Sequence, residues 1–173
     1  MAGIYLHIPF CRKACHYCNF HFSTRLQNKN AVVAALLTEI SQEATRLEGQ
    51  TIETIYFGGG TPSLLSAEEL NSLLSALAAN FNIRQNAEIT LEANPDDIKK
   101  SLLEEWKIAG INRLSIGVQS FREQDLQWMN RAHTAAEALS GIRLAQDAGF
   151  ENITIDLIYG TPTLTDAAWE ENL

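Results

Sequence analysis

Short apolar runs alternate with helical patterns along the whole chain of 173 residues, which predicts an α/β fold on a parallel sheet with crossover helices. Two further observations narrow the class. In the strand candidates one set of alternate positions is apolar and the other polar, and alternate side chains point to opposite sides of a sheet. A sheet covered by helices on both faces is apolar on both, because a buried polar group without a partner costs roughly 1 to 3 kcal/mol. No linker or low-complexity segment divides the chain, so one domain is expected over 1–173. The prediction is a TIM-like barrel with helices outside and a polar ligand inside, in place of the aliphatic layers that fill an ordinary one.

The elements follow in order. Strand candidates are "GIYLHI" (3–8), "TIYFG" (54–58), "EITLEA" (88–93), "RLSIGV" (113–118) and "NITIDLIY" (152–159), each rich in β-branched or aromatic residues. Between the first two, Val33, Leu36, Leu37, Ile40, Ala44 and Leu47 recur at helical spacing. The second helix opens with a capping box, Ser66 and Glu69, and runs through Leu70, Leu73, Leu74 and Leu77. A third centres on Leu102, Leu103 and Trp106 and stops at Gly110; a fourth starts at Thr134, boxed by Glu137, and stops near Gly149. The final "TDAAWEENL" reads as another helix start. On the strands, Ile4, Leu6 and Ile8 oppose Tyr5 and His7; Ile89, Leu91 and Ala93 oppose Thr90, Glu92 and Asn94. Likewise Ile116 and Val118 oppose Ser115, Gly117 and Gln119, and Ile153, Ile155 and Leu157 oppose Thr154 and Asp156.

Composition excludes several functions. A formal net charge of −8 repels nucleic acid and offers no polybasic strip for anionic lipid. The N-terminal "MAGIYLHIPF" lacks the basic start of a signal peptide, and no stretch resembles a membrane span, so a cytoplasmic location is expected.

All three cysteines, Cys11, Cys15 and Cys18, fall within eight residues just after the first strand, at the rim where barrels of this kind place their active-site loops. Three thiols cannot pair among themselves, and "RKACHYC" is poor material for burial, which points to metal. A C-x3-C-x2-C spacing supplies three ligands of an iron–sulfur centre and leaves one corner open. The rival is zinc held by three Cys and a His, with His7, His16 and His21 close in sequence. At the end of the second strand "FGGGTPS" lets the backbone approach a ligand, although it is neither a P-loop nor a dinucleotide motif. Glu92, Gln119 and Asp156 share the polar face of three strands and suit sugar hydroxyls or an ammonium group. Arg131 offers a partner for a carboxylate, although taken alone it reads as a solvated helix end.

Taken together, "YLHIPFCRKACHYCNF", "GGGTP", "EANPDD", "GVQSF" and "DLIYGTP" resemble the radical S-adenosylmethionine (radical SAM) enzymes, and within them the coproporphyrinogen III dehydrogenase-like group, above all its haem chaperones. The resemblance implies a partial TIM-like (β/α)6 radical SAM barrel, here cut after about five strands, with a C-terminal region missing. It implies a 4Fe-4S cluster on Cys11, Cys15 and Cys18 whose fourth iron takes the amino and carboxylate groups of S-adenosyl-L-methionine. Tyr5 and Tyr17 would lie against cofactor and cluster. Gly59, Gly60 and Thr61 would hold the methionine part, and Glu92, Gln119, Arg131 and Asp156 its polar groups and ribose. An electron from a donor such as a flavodoxin or ferredoxin would cleave the sulfonium. Haem or porphyrin, and haem-accepting proteins, are the further partners implied.

Two functions remain within the resemblance: haem binding and delivery, or oxygen-independent oxidative decarboxylation of coproporphyrinogen III. The dehydrogenases typically continue the motif as C-x3-C-x2-C-x-C and have a longer extension before it. Here Phe20 occupies the last position and ten residues precede Cys11, so the haem-handling function is expected and the oxidase activity is not. A zinc-stabilised binding module without redox chemistry is the reading from outside the family.

Overall fold

A computed structural model describes residues 2–173. Five strands, β1 (Ala2–Ile8), β2 (Thr51–Gly59), β3 (Asn82–Ala93), β4 (Arg113–Gln119) and β5 (Asn152–Leu157), form one sheet. All neighbours are parallel and the order is strictly sequential from β1 to β5. A doubly wound sheet reverses its strand order at a switch point. Without a reversal, right-handed crossovers all return on one side, and the sheet is the arc of a barrel.

Helices α1 (Lys29–Gln42), α2 (Ala67–Asn80), α3 (Lys100–Ala109), α4 (Glu123–Trp128), α5 (Ala135–Asp147) and α6 (Asp166–Glu170) fill the crossovers and the chain end. Both expected capping boxes form: Ser66 Oγ accepts from the Glu69 N–H at 3.2 Å, and Thr134 Oγ1 from that of Glu137 at 3.2 Å. Each such cap is worth about 1 kcal/mol. Gly110 ends α3 with φ +100°, a conformation that a side chain disfavours. Leu6, Ile55, Phe57, Leu91, Leu114 and Ile116 on the convex face pack with Leu70, Leu73, Leu77, Leu103 and Trp106 of the helices in one core. The opposite face carries Tyr5, His7, Tyr56, Thr90, Glu92, Ser115, Thr154 and Asp156.

The structure departs from expectation most clearly in four places, besides the start of β2 at Thr51 rather than at 54. The first helix ends at Gln42, and Ala44–Leu47 is a separate 3-10 turn. β5 stops at Leu157, and Ile155 is exposed on this edge strand, beyond which no further strand pairs among the described residues. β3 begins six residues earlier than its apolar run, at Asn82, pairing with Thr51 and Ile52 across a register shift. Helix α4 was not anticipated, because its six residues show no apolar periodicity; only Asp125 and Leu126 are buried within it.

Candidate functional site

The C-terminal ends of the strands enclose a cavity of about 470 Å³, a size usual for small-molecule sites. Its wall takes Cys11, Cys15, Tyr17 and Cys18 from the loop after β1 and Gly59, Gly60 and Thr61 from the end of β2. Glu92 comes from β3, Gln119 from β4, Arg131 from the segment after α4, and Asp156 from β5. Eleven of the twelve residues singled out in sequence therefore converge. Tyr5 is the exception: its ring is mostly exposed and stacks on Tyr56, centroids 5.8 Å apart, outside the cavity wall.

The cysteine loop is anchored by backbone. Cys11 N–H donates to the Ser23 carbonyl (3.1 Å), Ser23 N–H to that of Pro9 (2.9 Å), and Gly60 N–H to that of Ile8 (2.9 Å). A Cβ on Gly60 would stand 2.6 Å from the Phe10 oxygen and 3.0 Å from the Cys11 sulfur, so the second strand can pass beneath the thiol only as glycine. Arg12 reaches Asp97 (3.1 Å), which also accepts from Ser63 Oγ (2.8 Å), tying the loop to the ends of β2 and β3. Burial pushes the Asp97 carboxyl above its ordinary range, against the pull of Ser63 and Arg12.

A chain of side-chain hydrogen bonds runs between two thiols. Thr61 Oγ1 donates to Cys11 Sγ (3.4 Å), and Asn94 Nδ2 donates to Thr61 Oγ1 (3.2 Å). Arg131 donates to Asn94 Oδ1 (2.6 Å), the Gly117 carbonyl (2.8 Å), Tyr17 Oη (3.3 Å) and Cys15 Sγ (3.4 Å). Its Nε is buried without a partner. Arg131 is thus half-buried and bonded on the cavity wall, which corrects its reading as a solvated helix end. Burial raises the Cys11 thiol, opposed by the Thr61 hydroxyl and, more weakly, by Arg131. The three thiols are half-buried and unpaired.

Polar groups of the sheet complete the wall. Glu92 accepts from Tyr56 Oη (2.8 Å) and from the Gly59 N–H (3.0 Å), where φ is +116°. Burial raises the Glu92 carboxyl, and burial first, then the Glu92 bond, pushes the Tyr56 phenol up to about 12. Gln119 closes β4 at φ +69°, an unusual backbone for a residue with a side chain, and its Nε2 lies over Gly117. Asp156 receives Ser115 Oγ at 3.5 Å and is exposed on the edge strand, contrary to its mid-strand setting between Ile155 and Leu157.

Sequence reasoning placed Asn94 on this face without assigning it to the site, and missed Tyr56. It also missed buried His133, whose Nε2 donates to the Val118 carbonyl (3.0 Å) while Nδ1 stands 3.9 Å from Asp96 Oδ1. Both of those last atoms are buried without hydrogen-bond partners. Burial, reinforced by Arg131, lowers the His133 imidazole to about 4, so it is neutral.

The donor set bears on the choice of metal. Zinc needs four ligands within about 2.3 Å of one point. Among the described residues no group of three or more His, Cys, Asp or Glu is placed to hold a single ion. His7 is bonded through both ring nitrogens, Nε2 to the His21 carbonyl at 3.1 Å and Nδ1 to the Tyr5 hydroxyl at 3.4 Å, whereas His16 bonds the Trp128 carbonyl through Nδ1 alone, at 2.9 Å. A 4Fe-4S cluster takes each thiolate on a different iron and asks only that the thiols line one rim. The residues present fit that group, with Arg131 as the cation beside it.

The sequence and this fold match known proteins. The sequence pattern of the radical SAM superfamily covers residues 5–173, and the chain belongs to that superfamily. Within it, the chain is 38% identical to the haem chaperone HemW of Escherichia coli, over 99% of this chain and 45% of the relative. It is also 38% identical to bovine "Radical S-adenosyl methionine domain-containing protein 1, mitochondrial", over 99% of this chain and 39% of the relative. Among solved structures, the coproporphyrinogen III oxidase HemN of Escherichia coli, a radical SAM enzyme, superposes with a TM-score of 0.90 at 34% identity, covering 98% of this chain and 40% of that one. The cobalamin-dependent radical enzyme OxsB shares the fold at TM-score 0.66 and 16% identity. The chain spans less than half the length of the curated relatives named here. No helix among the described residues is long and apolar enough to cross a membrane.

Proposed function

We propose that this chain is the cluster- and S-adenosylmethionine-binding part of a radical SAM protein that binds and delivers haem. The observation that carries the proposal is the hydrogen-bonded chain from Cys11 through Thr61, Asn94 and Arg131 to Cys15, along a cavity whose other wall is the polar sheet face. Cys11, Cys15 and Cys18 would hold the 4Fe-4S cluster. When bound, it supplies the electron that breaks a sulfonium carbon–sulfur bond of S-adenosylmethionine.

The chain's own residues orient and shield. Gly59, Gly60 and Thr61 bring backbone to the methionine part, and the positive φ of Gly59 aims its N–H at Glu92. Glu92, Gln119 and Asp156 offer oxygen acceptors to ammonium and ribose hydroxyls, and Arg131 a cation to a carboxylate. Tyr17 lines the wall with its phenol driven well above the usual range by burial, so it stays protonated. Arg131 near Cys15 offsets the negative charge of thiolates, a lever that raises a cluster's potential.

The second function, oxidative decarboxylation of coproporphyrinogen III, is favoured by the structural likeness to HemN. Against it stands Phe20, exposed at the cavity mouth where a fourth cysteine would continue the motif. The test is an anaerobic assay of the full-length protein with coproporphyrinogen III, S-adenosylmethionine and a reductant, beside a haem titration. Stoichiometric haem binding without turnover is expected. Substantial protoporphyrinogen IX formation would reverse the choice.

A further inference from the structure

The polar face of β2 carries a tyrosine, Tyr56, that is not among the cofactor contacts assigned above. Ile55 and Phe57 are buried in the core, and Tyr56 between them shares the opposite face with Gly58, because successive side chains of a strand alternate. Packing at this position asks only for a ring, which phenylalanine would supply. The hydroxyl does something else: Tyr56 Oη donates to Glu92 Oε1 at 2.8 Å, across the paired strands β2 and β3.

The ring is held where that bond needs it. Tyr5 on β1 stacks on it, the two planes 23° from parallel. A Cβ on Gly58 would stand 2.8 Å from Tyr56 Cε1 and 2.7 Å from Tyr5 Cε2, so the two rings fill the space that a side chain at 58 would take. Glu92 is fixed at its other oxygen as well, where Oε2 accepts from the Gly59 N–H at 3.0 Å. A carboxylate has about four acceptor sites, and these two donors leave about two. Glu92 and Tyr56 both line the cavity, so the free sites are open to a ligand there. Burial raises the Glu92 carboxyl, and the strongest opposing pull is the Tyr56 bond, ahead of the Gly59 N–H. The phenol itself, pushed up to about 12 chiefly by burial, stays protonated and keeps donating.

We propose that Tyr56 is a positioning residue for S-adenosylmethionine: its hydroxyl holds the Glu92 carboxylate in one orientation and in its acceptor form, and Glu92 in turn takes an N–H or O–H of the ligand. This rests on the S-adenosylmethionine contact assigned above to Glu92. The one O–H of Tyr56 is directed at Glu92, so the residue acts through that carboxylate and not on the ligand itself. Removing the hydroxyl removes a donor that favours the ionised form, so Glu92 in Tyr56→Phe takes up its proton at higher pH. Around Glu92 stand His7 and Tyr5 on β1 and Asp156 on β5, with Ser115 paired beside it on β4 and Arg113 beyond Tyr56. Glu92→Ala separates its titration from theirs.

The experiment uses anaerobically reconstituted full-length protein without reductant and measures S-adenosylmethionine binding by calorimetry, from about pH 5 to 8, in wild type, Tyr56→Phe, Glu92→Ala and the double variant. Tyr56→Phe keeps the ring and should weaken binding by about three- to tenfold near neutral pH, with iron and sulfide content unchanged. Its loss of affinity on acidification should set in at higher pH than in the wild type. On the Glu92→Ala background the same substitution should change affinity by less than about twofold, because the hydroxyl has no carboxylate left to hold. A tyrosine that only packs, or that touches the ligand itself, would weaken binding equally on both backgrounds and leave the pH profile where it was. Either of those results, or wild-type affinity in Tyr56→Phe, overturns the proposal. Wild-type protein that carries its cluster yet binds no S-adenosylmethionine would overturn the assignment of the ligand, and this proposal with it.

Discussion

Replacing Arg131 by Met keeps the apolar stem and removes the guanidinium, and the cost can be worked from its four bonds. Two are short and charge-assisted, to Asn94 Oδ1 at 2.6 Å and to the Gly117 carbonyl at 2.8 Å. Their acceptors stay half-buried, and an unsatisfied group of this kind costs about 1 to 3 kcal/mol. The contacts to Cys15 Sγ and Tyr17 Oη, at 3.4 and 3.3 Å, are long and add little. Nε has no partner already, so its removal relieves a desolvation penalty. The balance is about 2 to 4 kcal/mol of lost stability. Equilibrium unfolding of metal-free, reduced protein in urea measures it without interference from any bound group. A solvated arginine at a helix end would cost less than about 0.5 kcal/mol. A midpoint within that margin for Arg131→Met would refute the reasoning, and Arg131→Lys should recover only part of the loss because one ammonium cannot span the fork of acceptors.

His133 makes stability depend on pH. Its folded value of about 4 lies below the unfolded value of 6.5, so the native state binds fewer protons between them, and stability is intact above pH 6.5 and lost as pH falls toward 4. The slope approaches about 1.4 kcal/mol per pH unit inside that window, and urea midpoints of wild type and His133→Asn across pH 4 to 8 check it: an equal slope in the variant excludes this histidine as the source. Gln119→Ala and Asp156→Ala should each weaken S-adenosylmethionine binding by about 1 to 3 kcal/mol in calorimetric titration while leaving iron content unchanged. Wild-type affinity in both variants would remove these residues from the site.

Local physics was legible in the sequence. Two capping boxes, the αL stop at Gly110 and the apolar parity of β3 and β4 are written in adjacent residues and form as expected. The thiols were legible for the same reason, being isolated in one loop after a strand. Tyr56 was missed although it shares a face with Gly58. Its meeting with Glu92 depends on the β2–β3 register, which is set by packing of the convex face and shifted between Ile52 and Thr54. Tyr5 faces the expected side, level with Tyr56, which lines the cavity, but its ring stacks on Tyr56 outside the wall, and that stacking is likewise a consequence of register. His133 and Asp97 are buried polar groups whose partners lie 15 and 34 residues away, beyond any local pattern. The exposed flank of β5 reflects position at the sheet edge, which no periodicity records.

Iron and acid-labile sulfide analysis of anaerobically reconstituted protein, with Cys11→Ala, Cys15→Ala and Cys18→Ala beside the wild type, bears most directly on the assignment of the thiol loop. A 4Fe-4S cluster on three thiolates predicts about four iron and four sulfide per chain, an oxygen-sensitive brown colour, and loss of both in every single variant. One zinc per chain with no sulfide, or a full and unchanged cluster in two of the three variants, would contradict it.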